Sequence, residues 1–470
     1  MAYRDKTVLM TANRPQLHRG LKVLGTLLIT ISAVSPASAV FVLAPGVVVL
    51  AGTGAFLSFV IASVVGLLIA FVYAELASAY PLSGGDYAMS ARILGRLPGF
   101  IVLGLGLVTL LLDISVIALG EGTYLSAILP GLHLPTVGAL TTLLATVLAV
   151  FDIKFNAWVT GIFLTIEILA LAVVSALDLL RPERSIADLV LHPVVAGANG
   201  SVVGASAGMV GGAAAVALFC YYGFGNAVYL GEETRNARRT MARSILWALA
   251  IVVVAEMIPV TALLLGAPSL PDLFSGPGMM EYFITARAGS TLNVVISLAI
   301  ALAIFNCVLD ILLIAARMLF STGRDTIWPA PISRALARVH PRFGSPWVST
   351  LLIGVLAAAA CYVDFQFLLV VTSTTAVAIY ATLCFAVLAG RRNGTIEHAV
   401  YRMPAHPSIP ILALIGIAYI VYGNFLDPVV GRPSLYTTAV IILLATAYYF
   451  LVLRRRGTWE LRGPIDEHTS

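Results

Sequence analysis

The sequence predicts an all-α protein that crosses a lipid bilayer many times, and two observations carry that reading. The first is composition: 60% of the 470 residues are hydrophobic and only 11% are charged, with a mean hydropathy of +0.98. Soluble chains average about 45–50% apolar and about 25% charged residues, and a single soluble core stops growing near ~300 residues. Twenty-eight basic and 23 acidic residues are too few to cover so much apolar surface, so lipid must form part of the solvent. The second is pattern. Apolar residues fall in runs that match the about 20 residues a spanning helix needs.

Twelve such runs occur, at 21–48, 53–78, 98–128, 135–151, 156–178, 205–229, 244–266, 290–320, 347–363, 366–389, 409–426 and 435–453. The first is far longer than the ~7–15-residue core of a secretory signal and has no small-residue cleavage site behind a short one, so it reads as a span. The longest connections, 178–204 and 322–346, leave no room for a soluble domain. The chain therefore divides into a tail at 1–20, one transmembrane domain at 21–453 and a second tail at 454–470.

Charge sets the orientation. With the N-terminus placed in the cytoplasm, 23 of the 28 Lys and Arg fall on the cytoplasmic side; only Arg181, Arg184, Arg287 and Arg432 fall outside, and Arg317 lies near the inner end of the eighth span. That asymmetry is the positive-inside rule. It predicts an inner (plasma) membrane protein with both termini cytoplasmic, and it assigns the net charge of +5 to anionic lipid rather than to nucleic acid. Cys220, Cys307, Cys361 and Cys384 lie in spans with no Cys-x-x-Cys spacing and read as packed thiols. No histidine falls in a span, so neither a histidine metal site nor a Ser/His/Asp set can assemble there. No cofactor is expected and the chain does not read as an enzyme. Asn199-Gly200-Ser201 fits a glycosylation sequon in an outer loop.

Two spans are interrupted. Span one carries Ser35-Pro36-Ala37-Ser38 at mid-depth, where the proline lacks an amide and clashes with the preceding turn. Span six carries Gly223-Phe224-Gly225-Asn226, where each glycine lowers helix propensity by about 1 kcal/mol. The first and sixth helices are matching positions in two five-helix halves, 21–200 and 201–390, followed by two further helices at 409–453. Paired interruptions in matching positions point to a transporter's substrate site.

Three motifs accompany the interruptions. Glu75-Leu-Ala-Ser-Ala-Tyr80-Pro81-Leu-Ser-Gly84-Gly85-Asp86-Tyr87 follows the second span. Gly231-Glu232-Glu233-Thr-Arg-Asn236-Ala-Arg238-Arg239-Thr240 follows the sixth, and Arg317-Met-Leu-Phe320-Ser-Thr-Gly323-Arg324-Asp325 ends the eighth. In this order, all on the basic side, they resemble the signatures of the amino acid–polyamine–organocation (APC) transporters, with Ala237 where a proline is usual. The resemblance covers nearly the whole chain. It implies the leucine-transporter type of fold: 12 transmembrane helices, a 5+5 inverted repeat plus two C-terminal helices, and broken helices 1 and 6.

The resemblance further implies alternating-access transport of amino acids or related amines, with the substrate between unwound helices 1 and 6 and walls from helices 3, 8 and 10. Half-helix N-termini carry about +0.5 charge and receive a carboxylate, while exposed carbonyls receive an ammonium. Substrate contacts are thus expected at Ser35, Pro36, Ala37 and Ser38, at Phe219, Tyr222, Gly223, Phe224, Gly225 and Asn226, and at Asp113 and Asn306. Phe219 and Tyr222 are positioned like the family's aromatic gate, although aromatics in an apolar helix also serve plain packing. Two departures stand out. Pro36 offers no amide where many members wrap the carboxylate with a Gly-Ser-Gly-type run, and Gly225 stands where members often carry an acid.

Five carboxylates lie within the spans or at their mouths: Asp113, Glu121, Glu167, Glu256 and Asp310. A charged carboxylate at mid-bilayer costs about 2.5–3.5 kcal/mol on insertion scales, which makes each a functional candidate. Glu167 shares a helix face with Asn156 and Thr160, and Asp310 with Asn306. Many relatives carry a lysine near position 167, standing in for a sodium ion. An acid there is expected to carry the coupling proton, with Asp310 as a second candidate, or else to serve as a hydrogen-bonded structural acid. Asp113 is expected to meet a substrate ammonium or to pack between helices. Glu256 is expected to pair with backbone freed by Pro259, and Glu121 to sit near the outer interface. The expected function is secondary transport of amino acids, by proton symport or exchange, with polyamine or other organic amine uptake as the alternative. Its expected partners are the small-molecule substrate, protons and membrane lipid.

Overall fold

Helices form where the apolar runs lie, because every backbone amide in hydrocarbon must find a partner within its own segment. The computed structural model describes residues 20–461 except 127–128, 130, 198–199, 275–278, 427, 429–430, 458 and 460. The 1–19 segment, most of the 454–470 tail and Asn199 of the sequon lie outside the described residues. Among the described residues, nine helical stretches are long and apolar enough to cross a membrane, and the first of them, Val23–Ala79, is 57 residues long.

In chain order the main helices are α1 (Val23–Val34), α2 (Ala44–Ala51), α3 (Ala55–Ala79), α4 (Gly85–Leu94), α5 (Arg96–Ser126), α6 (Leu134–Ala149) and α7 (Ile153–Leu179). There follow α8 (Ala207–Cys220), α9 (Ala237–Gly266), α10 (Met279–Arg324), α11 (Trp347–Ala360), α12 (Phe365–Arg392), α13 (Ser408–Leu426) and α14 (Gly431–Tyr448). The α10 stretch is two helices joined at Gly289, whose φ of 80° is not helical. The apolar helices α6 and α11 are shorter than the nine long stretches.

One departure from an all-helical chain lies in the 178–204 connection. Val194–Ala196 (β1) and Val202–Gly204 (β2) pair antiparallel, with Val194 opposite Gly204. Valine-rich segments favour extended backbone. The hairpin is tied down where the Val194 amide donates to the Thr53 hydroxyl at 2.9 Å, beside the turn between α2 and α3.

Burial runs opposite to that of a soluble protein. Leu24, Leu140, Trp158, Leu180, Trp247, Ile415 and Leu443 are exposed, a belt of apolar side chains that only lipid would tolerate. The interior instead holds Glu75, Asp86, Asp113, Glu167, Glu233, Glu256, Asp310 and Arg317, all buried. Helix α10 packs on α5, α6, α7 and α1, and α9 packs on α3, α7 and α1. The interrupted first span therefore runs through the middle of the bundle.

Candidate functional site

The interruption in the first span follows from two adjacent residues. Proline disfavours helical backbone in the residue before it, and Ser35 takes a left-handed conformation with φ 47°. Helix α1 ends there, and a single helical turn, Pro36–Ser38, restarts with proline at its first position, where no amide is needed. A π-helical stretch, Ala39–Leu43, then leads into α2. Every amide at the interruption has a partner or does not exist. Ser35 N–H donates to Ile31 O and Ala39 N–H to Ser35 O, both at 2.9 Å. Ser38 N–H donates to Ser35 Oγ at 3.2 Å, and Ala37 N–H donates to Glu167 Oε1 at 2.7 Å. The Ser35 hydroxyl lies 3.0 Å from Glu167 Oε1 and 2.8 Å from Ser38 Oγ. The carboxylate that meets the Ala37 amide at the interruption is thus the protein's own.

The second interruption needs glycine. Gly223 has φ 112°, a backbone region that side chains rarely enter. It separates α8 from a 3-10 helix, Phe224–Glu233. Gly225 is fixed by packing, since a Cβ there would lie 2.6 Å from the Tyr73 ring. Tyr73 and Tyr380 both pack edge-on, and Phe224 and Tyr380 stack, with Tyr222 next to Tyr380 and stacked on Phe219. Asn226 donates its amide to Gly223 O at 2.8 Å.

Between the two interruptions lies a small cavity of about 10 Å³, lined by Val34, Asp113, Phe219, Tyr222, Cys307 and Ile311 among others. That is room for at most one water. Asp113, Phe219 and Tyr222 therefore share one site. Ser35 and Ala37 bond Glu167 and Ser38 bonds Ser35, Phe224 and Gly225 pack on Tyr73 with Phe224 also on Tyr380, and Gly223 lies against Val34 of the cavity wall. No described side chain or amide donates a hydrogen bond to Asp113, although its residue is 5% exposed. A larger cavity of ≈ 410 Å³ lies among Leu50, Met209, Ser373, Asn424 and Ser434, but no acid or base among the described residues lines it.

The other acids cluster behind the first span. Thr160 Oγ1 donates to the Asp310 carboxylate, 2.9 Å from Oδ1 and 3.1 Å from Oδ2. Asn306 Nδ2 donates to the Ser32 hydroxyl and, at 3.4 Å, to Thr160 O. Cys307 Sγ lies 3.6 Å from Ala33 O. Two expectations are corrected. Glu121 is buried, with Oε2 unpartnered, rather than solvated at an interface. Glu256 is fully buried and neither oxygen bonds any backbone freed by Pro259.

At the basic end of the bundle the three sequence motifs meet. Arg317 forks onto Glu233, with Nη2 3.0 Å from Oε1 and Nε on Oε2, and its Nη1 donates to Leu313 O at 2.7 Å. Arg324 pairs with Glu232, whose Oε1 accepts the Ser83 amide at 3.0 Å. Tyr87 donates to Asp325 Oδ2 at 2.9 Å. Arg391 holds Glu75 in a second fork at 2.7 and 2.8 Å, and Met403 N–H adds a third bond at 2.9 Å. The foot of α1 is tied in as well: Leu21 N–H donates to Glu233 O at 3.0 Å and Arg235 N–H to Leu21 O at 3.1 Å. Asp86 receives the Tyr229 hydroxyl at 3.0 Å, while its Oδ1 has no partner. Burial pushes its carboxyl up from 3.8 to about 6, against the opposing pull of the neighbouring Tyr73 and Tyr229 hydroxyls.

Comparison with known proteins fits this geometry. The family model described as amino acid permease matches residues 21–450. The chain belongs to the amino acid permease family of APC transporters. It is similar to the branched-chain amino acid permease BcaP of Bacillus subtilis (strain 168), at 25% identity over 95% of this chain and 96% of that one. It is 25% identical to the methylthioribose transporter of the same organism, over 87% of each chain. The serine/threonine exchanger SteT, also of B. subtilis, is 24% identical over 82% of this chain and 85% of its own. These relatives are transporters, and this permease is not an enzyme.

Some site residues of this permease carry no local signal. Val34, Ile117, Cys307 and Ile311 line the small cavity, yet each reads in sequence as one apolar residue among many. Arg391, which closes on Glu75 from 316 positions away, could be found only by asking which basic residue neutralises a buried motif acid.

Proposed function

We propose that this permease is a secondary active transporter that moves amino acids or closely related amines by alternating access. It has twelve spans, two inverted five-helix halves with broken helices 1 and 6, and an inner-membrane location with both termini cytoplasmic. The nine long apolar stretches, one of them 57 residues long, and the shorter α6 and α11 support that span count. The observation that carries the reading is the small cavity between the two interruptions, with Asp113 on its wall and Phe219 and Tyr222 stacked beside it. A carrier binds at such a midpoint and closes on either side in turn. The ion-paired motifs then form the closed cytoplasmic side of an occluded state.

Proton coupling is assigned to Glu167. Its carboxylate links α7 to the amide of Ala37 and the hydroxyl of Ser35, so a proton there weakens the hold on the helix that must move. In proteoliposomes, Glu167→Gln is expected to abolish uptake driven by an inward proton gradient while saturable counterflow persists. Unchanged proton-driven uptake removes Glu167 from the mechanism. An absence of counterflow for any amino acid or amine removes the carrier reading itself.

A second reading, uptake of polyamines or other organic amines, is favoured by one observation. The helix-one amides are all engaged inside the protein, whereas Asp113 faces the cavity without a donor. Such a wall suits an ammonium better than a carboxylate. Ligand-induced thermal shifts with amino acids against diamines separate the two.

A further inference from the structure

Glu256 is an acid that the mechanism above does not use. It lies in α9, three residues before Pro259, and its side chain is wholly buried. Both of its oxygens lack a hydrogen-bond partner, and so does Glu167 Oε2. Buried polar atoms in native proteins are almost always bonded, and each exception asks for an explanation. A structural acid would earn its place by bonding something, and Glu256 bonds nothing described.

Its location supplies the explanation. Helix α9 packs on α1 and on the Pro36–Ser38 turn, and α7 packs on the same turn from its own side. The groups that act on Glu256 or feel its charge are Glu167 from α7 and Cys220 and Tyr221 at the end of α8. Tyr221 itself bonds the Ser63 hydroxyl, and Cys220 is a buried free thiol. No basic side chain among the described residues acts on Glu256. Two carboxyls with three unpartnered oxygens between them thus lie on the two helices that pack against the helix-one turn, and α9 also packs on the 3-10 helix that follows Gly223.

We propose that Glu256 is a second proton-carrying residue, which exchanges the coupling proton with Glu167 and so links the helix-six interruption to the helix-one turn. This rests on the proton coupling proposed for Glu167. The step is a proton transfer: the proton leaves a Glu256 oxygen as carboxylate and arrives on Glu167, which becomes a neutral acid. The bonds from Ala37 N–H and Ser35 Oγ to Glu167 lose their charge assistance, and the turn is freed to move. Two like charges in this dry region repel, so a single negative charge on the pair is the favoured loading.

The test uses the full-length protein in proteoliposomes, with an equimolar mixture of labelled amino acids and putrescine as probe. Uptake is measured with and without an inward proton gradient, alongside gradient-free counterflow, for wild type, Glu256→Gln, Glu256→Asp and Glu167→Gln. The expected result is that Glu256→Gln loses the gradient stimulation but keeps counterflow, while Glu256→Asp keeps both with a shifted pH midpoint. Full stimulation in Glu256→Gln overturns the role of Glu256 and leaves Glu167 standing. Counterflow without stimulation in wild type overturns the coupling reading for both. If Glu256→Gln does not assemble, Glu256→Asp decides: an unmoved pH midpoint marks a packing residue and overturns the proposal.

Discussion

The acids at the basic end of the bundle and the acids at its middle are equally buried but differently answered. Glu75, Glu232 and Glu233 each face an arginine, in two cases through a two-bonded fork. Among the described residues Asp113, Glu167 and Glu256 face none, and Asp310 is met by the Thr160 hydroxyl. A fixed ion pair closes a door and has no reason to change its charge. An acid held only by amides, hydroxyls or nothing can gain and lose a proton without leaving a stranded cation behind. The same residue type therefore serves closure at one level and loading at the other, and the neighbouring arginine decides which.

The largest effect that probes this contrast comes from the best-buried pair. Arg317→Met leaves Glu233 buried without its cation and is expected to cost about 3–5 kcal/mol, read as a fall in unfolding temperature in detergent. Adding Glu233→Leu is expected to recover most of that loss, since an apolar pair of similar volume is often neutral. No recovery would show that Glu233 serves more than closure. Asp310→Asn, by contrast, keeps an acceptor for Thr160 and is expected to cost no more than about 1.5 kcal/mol. A loss as large as that of Arg317→Met would erase the distinction between the two levels.

Gly225→Ala lies between these in size. Its Cβ would press into the Tyr73 ring, and overpacking of that kind costs about 1–3 kcal/mol. The smallest effect is a pH dependence at the boundary between the levels, where Asp86 is buried with tyrosines and no arginine. Its folded value of about 6 lies above the ordinary 3.8. The stability it contributes is complete below about pH 4 and is lost as pH rises through about 6. Wild type is therefore expected to unfold at a higher temperature near pH 5 than near pH 7, and Asp86→Asn to flatten that slope. An unchanged slope in Asp86→Asn would place the titration elsewhere.

Much of the architecture was legible one segment at a time. The apolar runs mark most helices to within a few residues, because span length is set by the bilayer, whereas α9 and α10 begin at Ala237 and Met279, well before the runs at 244 and 290. Ser35-Pro36 marks where α1 stops, because proline acts on its immediate neighbours. The hairpin at Val194–Ala196 and Val202–Gly204 was not foreseen, since three-residue strands lie below the length at which alternation can be read. Glu256 was misjudged for another reason. Proline three residues away suggested a local partner, and whether a side chain reaches such a partner depends on what else surrounds it.

The sequence alone determined that lipid is the solvent, where the helices run, which end carries the positive charge and which family the motifs resemble. Those properties depend on composition, on local backbone chemistry and on short ordered motifs, all of which survive in one dimension. Only the tertiary structure decided which acids are paired. It set Arg391 on Glu75 and Arg317 on Glu233, put Glu167 on the amide of Ala37, and left Asp113 facing a small cavity. Charge states in a dry interior depend on neighbours within a few ångströms. In this chain those neighbours come from helices scores to hundreds of residues apart.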